Sequence, residues 1–262
     1  MVPEYSDPDT FWEHIHRYNF AARFVREKRV LDIASGEGYG CCGLLKAGAK
    51  SVIGVDIDPS SCAHAARKYK IDVRVGSAEA IPVETGSVDV VVSFETIEHV
   101  PNPGRFLDEV SRVLTADGLV IISTPDRNLY SPPGKEPNPY HCSEMAPEEF
   151  QDLLQSTFSK ISLFGQRPHS AKWWSPISLT SETSPWDRMA PVARLRRRLW
   201  SKWNPQRVTP VPEVKRQNPV DCILNGESSW LERTVNWSAV RPLRKSRGWS
   251  PVFLIAAARK RN

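Results

Sequence analysis

No run of about eighteen apolar residues occurs anywhere in the chain, which excludes a membrane-spanning helix. The N-terminus also lacks the apolar core of a secretory signal, because Glu4, Asp7 and Asp9 interrupt it, so a cytoplasmic protein is expected. The five cysteines, Cys41, Cys42, Cys62, Cys142 and Cys222, are odd in number and show no C-x-x-C spacing. That pattern indicates neither a disulfide framework nor a zinc site, and no metal-ligand set is expected. Acidic residues are scarce in one region only. Between Arg167 and Trp249 six Asp or Glu stand against sixteen Lys or Arg, and eight of the nine tryptophans fall there. The stretch carries +10 in a chain whose net charge is +5, which leaves the remainder at −5. Such asymmetry points to a partner for the basic stretch rather than to its fold.

Against these absences stands one glycine-rich stretch, Val30 to Gly40, VLDIASGEGYG. A short apolar run passes Asp32 and reaches Gly36, Gly38 and Gly40 at alternate positions, the pattern of a strand, a tight turn and a helix start. Glycine there permits positive φ and close approach of a ligand to the backbone, and the helix start offers unpaired N–H groups. Dinucleotide sites favour G-x-G-x-x-G, with a pyrophosphate on the helix N-terminus. The G-x-G-x-G spacing and the nearby Asp32 suit a positively charged ligand better, since like charges repel in a partly buried site. An ordinary tight turn could carry the same glycines. A second strand, Ser51 to Asp58, contains Asp56, twenty residues past Gly36, where a carboxylate can accept both hydroxyls of an adenosine ribose. The alternative for Asp56 is a helix N-cap before Pro59, a place that Asp58 fills better.

The rest of the chain alternates between helical and strand patterns. Helices are expected over Thr10–Glu27, Tyr39–Ala47 with Gly48 at C′, Pro59–Tyr69, Pro103–Thr115 and Pro147–Gln155. Further strands are expected over Ile71–Val75, Val88–Phe94, Gly118–Thr124, Phe158–Gly165 and Val252–Ala258. The run Val88–Phe94, apolar except for Asp89 and Ser93, suits a strand buried on both faces. Asp126 to Asn138, rich in Pro, Gly, Asn and Ser, reads as a loop over the site. Beyond Val88–Phe94 come Glu95, Glu98 and His99, and His99 is a candidate acid or base because imidazole titrates near neutrality. It could equally orient its loop or pack against a ligand. His141 either faces a substrate pocket or ties its loop to the helix that follows.

VLDIASGEGYG, VIGVDID, GSAEAIP and VDVVVSFETIEHV, in this order, resemble the spaced motifs of class I S-adenosylmethionine-dependent methyltransferases over roughly Glu13 to Arg167 and the last ten residues. The runs EHIHRYNFA and NPYHCSEMAPEEFQDLL are similar to those of bacterial methyltransferases of glycan and small-molecule biosynthesis. The resemblance implies a Rossmann-like, seven-stranded α/β fold with a mostly parallel sheet, an antiparallel last strand and a large basic insertion before that strand. Residues 1–29 would form a helix covering the cofactor, residues 30–166 and 251–262 the core, and residues 167–250 the insertion. The implied cofactor is S-adenosylmethionine, whose sulfonium and α-ammonium agree with an acid at Asp32. Its contacts would be Arg17, Asp32, Ala34, Gly36, Gly38, Asp56, Ile57, Ser77, Ala78, Glu79, Phe94 and Glu95, with His99 and His141 as the catalytic candidates. Members of the family commonly carry an acid at the Ser77 position for the adenine amine; here the Ser77 hydroxyl or the Ala78 amide must serve. The implied reaction moves a methyl group to an oxygen or nitrogen of a small-molecule, glycan or lipid-linked acceptor. The alternatives are a nucleic-acid or protein methyltransferase, a non-catalytic cofactor-binding module, and a nicotinamide oxidoreductase whose hydride-transfer machinery cannot be located.

Within the insertion, Met189, Val192, Leu195, Leu199 and Trp203 fall on one helical face, with Arg194, Arg196, Arg197, Arg198 and Lys202 around the other. A basic amphipathic helix of this kind suits an anionic membrane surface, packing over the active site, or a nucleic-acid backbone.

Overall fold

The structure, a computed structural model, describes residues 8–136, 138–166, 240–242 and 253–261. The chain divides into one unit of residues 1–169 and 222–262 and another of residues 170–221, and every described residue belongs to the first. The expected helix from Met189 to Trp203 lies outside the described residues.

Among the described residues eight strands form one sheet: β1 (Arg29–Ile33), β2 (Ser51–Asp56), β3 (Asp72–Val75), β4 (Val88–Phe94), β5 (Leu114–Pro125), β6 (Phe158–Gln166), β7 (Val240–Pro242) and β8 (Phe253–Lys260). Their order is β3-β2-β1-β4-β5-β8-β6-β7. The first five are parallel, β8 runs antiparallel to β5, and β6 runs antiparallel to β8. Seven strands give the expected mixed sheet. The eighth, three residues of β7 on the edge of β6, falls inside the stretch read as insertion. Helices α1 (Pro8–Ala21), α2 (Tyr39–Lys46), α3 (Pro59–Tyr69), α4 (Pro103–Val113), α5 (Arg127–Tyr130) and α6 (Pro147–Thr157) complete the described elements. No described helix is long and apolar enough to cross a membrane.

Side chains alternate across a strand, so each inner strand feeds two cores. Leu31, Ile33, Val91, Val120 and Ile122 point to the face covered by Phe106, Leu107 and Val110 of α4 and by Phe150 and Leu154 of α6. Val30, Val90, Val92, Leu119 and Ile121 point to the other, beneath Phe20 and Ala21 of α1, Leu44 of α2 and Ala65 of α3. This burial on both faces explains why β4 is mostly apolar; its exceptions are Asp89, which pairs with Arg29, and Ser93, whose Oγ donates to the Ile33 carbonyl.

Element ends follow their local chemistry. Asp58 caps α3 through the Ser60 and Ser61 N–H groups with Pro59 in the first turn, and Gly48 turns with φ 95° after α2, both as expected. Asn102 caps α4, its Oδ1 accepting from Arg105 N–H at 3.0 Å. Helix α1 is shorter than its periodicity predicts: it tightens into a 3-10 turn over Ala22–Phe24. Strand β5 begins at Leu114, earlier than the expected Gly118, because Leu114 pairs with Val88 and a register shift then lets Leu119 pair with Val90. The loop expected after Asp126 contains one helical turn, α5, started by the Asp126 carboxylate accepting from Asn128 N–H.

Candidate functional site

Strand order reverses between β1 and β4, and an open α/β sheet binds its ligand outside the carboxyl ends at such a point. The loop leaving β1 has positive φ at Ala34 (58°), Gly36 (52°) and Gly38 (81°). Ala34 in this left-handed region costs roughly 1 kcal/mol or more, so the surrounding fold holds it there. At Gly38 a Cβ would lie 2.6 Å from Ala65 Cβ and 2.9 Å from Ile71 Cδ1, so only glycine lets α2 start this close to α3. Gly40 does not belong to the turn. It sits within α2, where a Cβ would overlap the Tyr18 ring, which corrects the reading of three loop glycines.

At the end of β2 the Asp56 carboxylate accepts from Gly36 N–H at 2.7 Å and from Asp58 N–H at 3.0 Å. It is half-buried, next to Ile57, which is 74% exposed, and in register with Val75, which is 52% exposed. Large apolar side chains this exposed beside a carboxylate form a surface for a ligand with a flat apolar part and adjacent hydroxyls. Ser77 Oγ accepts from Glu79 N–H at 3.1 Å, and its own hydroxyl hydrogen is available to a ligand. Ala78 packs against the core, while the Glu79 carboxylate accepts from Asn102 N–H at 2.8 Å.

Two acids lie fully buried at the carboxyl ends of β1 and β4. Asp32 accepts from Tyr18 Oη at 3.0 Å and from Cys41 Sγ at 3.3 Å. Burial pushes its carboxyl up to about 7, with the Cys41 and Tyr18 hydrogen bonds opposing and the Asp56 charge adding to the rise. Glu98 accepts from Thr124 Oγ1 at 3.1 Å through Oε2, and its Oε1 is buried without a hydrogen-bond partner. Burial, then the charge of Glu95, raises the Glu98 carboxyl well above the usual carboxylate range.

Between them Arg17 enters from α1, 1% exposed. Its Nε donates to Gln166 Oε1 at 2.7 Å, its Nη1 stands 3.7 Å from Glu95 Oε1, and its guanidinium lies 4.4 Å from the centre of the Phe253 ring. Nη1 makes no hydrogen bond although it is buried. Glu95, with φ 51°, is held by Ser123, whose Oγ donates to Glu95 Oε1 at 2.6 Å. Phe94 is buried under Tyr18, with ring centres 5.1 Å apart.

His99 and His141 come together although they are far apart in sequence, with ring centres 4.8 Å apart. The loop carrying His141 is anchored to Glu98, whose carbonyl accepts from the N–H groups of Cys142 and Ser143 at 2.7 and 3.1 Å. His99 is exposed and bonded through Nδ1 to the Tyr140 carbonyl at 2.8 Å. His141 is bonded through Nδ1 to Glu144 Oε1 at 2.6 Å and stacks on Tyr130.

The sequence-read residues thus divide into two groups at one sheet edge: Asp32, Ala34, Gly36, Gly38, Asp56, Ile57, Ser77, Ala78 and Glu79 along β1 to β3, and Arg17, Phe94, Glu95, His99 and His141 around β4 and β5. Sequence reasoning gave no role to Glu98, Cys41, Ser123, Gln166 or Phe253. Glu98 alone left a signal, an acid directly before His99 at a strand end.

Residues 31–122 match a family described as a methyltransferase domain. A protein of Mycolicibacterium smegmatis described as a probable S-adenosylmethionine-dependent methyltransferase is 36% identical over 152 residues, 56% of this chain and 59% of that protein. A ubiquinone biosynthesis O-methyltransferase of Maricaulis maris is 31% identical over 150 residues, 48% of this chain and 59% of its own length. The chain therefore spans about three fifths of the length of these curated relatives. Among solved structures, a SAM-dependent methyltransferase of Thermotoga maritima superposes with a TM-score of 0.55 at 19% identity, covering 95% of this chain and 93% of that one, a likeness of fold.

Proposed function

We propose that the chain, whose residues 31–122 match a methyltransferase domain, binds S-adenosylmethionine and methylates an oxygen of a small-molecule acceptor. The observation that carries this reading is Asp56, a carboxylate bonded to the Gly36 N–H and flanked by exposed Ile57 and Val75. A ribose diol suits the carboxylate and an adenine ring suits the apolar pair. Arg17 supports the same ligand, since its buried and unbonded Nη1 is a donor for a ligand carboxylate. Asp32 supplies the countercharge to an ammonium or sulfonium, with Tyr18 Oη and Cys41 Sγ fixing its orientation. When bound, the cofactor supplies a methyl group on a positively charged sulfur that departs as a neutral thioether.

The work left to this chain is alignment and exclusion of water. Arg17, Gln166 and Phe253 pin α1 against the sheet, so Tyr18 and the helix roof the β1 and β4 ends. A hydroxyl acceptor must lose a proton as its oxygen is methylated, and the paired His99 and His141 rings suit that acceptor, as bases when free or through an ion that they hold. The oxygen is also favoured by the ubiquinone O-methyltransferase among the relatives. Calorimetric titration with S-adenosylmethionine and NAD, followed by assay of S-adenosylhomocysteine release with matched phenol and amine acceptors, tests the proposal. Binding of NAD alone would overturn the cofactor reading, and turnover with amines alone would overturn the oxygen.

A further inference from the structure

We propose that Glu98, His99 and His141 hold a divalent first-row transition-metal ion beside the acceptor position. One ligand atom from each lies within 4.8 Å of the other two. Two ligands on opposite sides of an ion with bonds of about 2.1 Å are about 4.2 Å apart, so a small rotation of the exposed His99 closes the set.

The hydrogen bonds around the two rings leave one nitrogen of each for a metal. The Tyr140 carbonyl can only accept, so His99 carries its hydrogen on Nδ1 and keeps a lone pair on Nε2. His141 likewise gives its Nδ1 hydrogen to the Glu144 carboxylate, and its Nε2 lone pair faces Asn138 Nδ2 at 3.1 Å, a bond that ligation would replace. A ring whose far nitrogen is held by a carbonyl or carboxylate is the usual state of a metal-bound histidine. Glu98 provides the independent sign. It is fully buried, Thr124 occupies only Oε2, and Oε1 has no partner, although a buried carboxylate oxygen is costly to leave unbonded.

The donor set selects the ion. Two imidazoles and one carboxylate suit Mn²⁺, Fe²⁺, Co²⁺ or Zn²⁺, whereas Mg²⁺ and Ca²⁺ prefer oxygen ligands throughout. With both rings neutral the loaded site has a charge of about +1, and three protein ligands leave room for an anionic oxygen. The catalytic use rests on the methyl-transfer reading above. An acceptor hydroxyl bound there would lose its proton to solvent more readily. Its oxygen would then bond to the methyl carbon as the carbon–sulfur bond breaks, the electron pair staying on sulfur.

The test uses the full chain stripped with chelator and dialysed against Co²⁺, Zn²⁺ or Mn²⁺, with bound metal measured by elemental analysis and Co²⁺ by its visible spectrum. One ion per chain is expected, with no thiolate charge-transfer band. Glu98→Gln and His99→Ala should each weaken binding by about tenfold or more. Glu98→Gln is nearly isosteric, and should it unfold, His99→Ala removes only an exposed ring and decides alone. Absence of stoichiometric metal, thiolate bands, or unchanged affinity in a folded variant would overturn the site. S-adenosylmethionine titrated into the metal-free chain keeps the two claims apart. Cofactor binding without metal binding sinks only the metal site, and metal binding without cofactor binding sinks only the methyl-transfer reading.

Discussion

The carboxyl ends of β1 to β3 and those of β4 and β5 share one edge of one sheet, yet they are built by different means. On the first side backbone N–H groups supply the donors and most contacts are short in sequence: Asp58 caps α3 and Ser77 turns onto Glu79, while Asp56 reaches across one βα unit to the Gly36 amide. On the second side, distant side chains converge around buried charge. Arg17 meets Gln166, Glu98 meets Thr124, and His99 meets His141. A local cradle tolerates change in its neighbours because most of its contacts close short loops, whereas a convergent cluster depends on every element that delivers a member.

The largest expected effect falls on the convergent side. Arg17→Leu leaves the buried Gln166 Oε1 without its charged donor and removes the cation 3.7 Å from Glu95, a loss of about 1.5 to 3 kcal/mol. Urea unfolding should show that loss. A loss below about 1 kcal/mol would mean that α1 is not held by this network, and the contrast between the two sides would fail. On the local side Asp56→Ala should leave the unfolding midpoint nearly unchanged and weaken S-adenosylmethionine binding by about 1.5 to 3 kcal/mol. Unaltered affinity in the folded variant would remove Asp56 from the cradle.

The same contrast explains what could be read without coordinates. The turn after β1 was legible because its chemistry is written contiguously, an acid, a turn and a helix start from Asp32 to Gly38, with a further acid at the end of the next strand. The role of Gly40 was not, since spacing cannot distinguish a glycine that turns the chain from one that makes room for Tyr18. The strand positions followed from the alternating pattern, but the early start of β5 did not, because the pairing of Leu114 with Val88 depends on a register shift that no local propensity encodes. Gln166 left no sequence signal and Glu98 only its place before His99, because each takes its role from residues in other elements, Thr124 for Glu98, Glu13 and Arg17 for Gln166.

A middle-sized effect links the two sides through pH. The Asp32 carboxyl titrates near about 7 in the fold and in the usual carboxylate range when unfolded, because burial penalises its charge. The folded chain therefore holds a proton between roughly pH 4 and 7 that the unfolded chain releases, so this group's contribution to stability falls as pH rises through that window. A cationic ligand favours the ionised form and should expel the proton. Affinity for S-adenosylmethionine should then rise with pH, by up to about tenfold per unit below about pH 7, and level off above it. Titration at pH 6 in buffers of different ionisation enthalpy should reveal proton release that Asp32→Asn abolishes. No release in the parent chain would mean that the ligand's charge lies away from Asp32.

The smallest effect asks to which side Glu79 belongs. The family resemblance puts it against the adenine, but its carboxylate accepts from Asn102 N–H and its carbonyl accepts from Arg105 Nε at 3.0 Å, so it fastens the loop after β3 to the start of α4. Glu79→Ala leaves the carbonyl contact intact and removes one hydrogen bond to an exposed amide, which should cost about 1 kcal/mol. If Glu79 is only this fastening, cofactor affinity should change less than about twofold while the unfolding midpoint shifts by a few degrees, and Glu79→Gln should restore most of the shift because its amide oxygen still accepts from Asn102. If the carboxylate also takes the adenine amine, affinity for S-adenosylmethionine should fall by about tenfold in both variants with stability restored in Glu79→Gln, and the local cradle would then extend from the loop after β3 to the N-cap of α4.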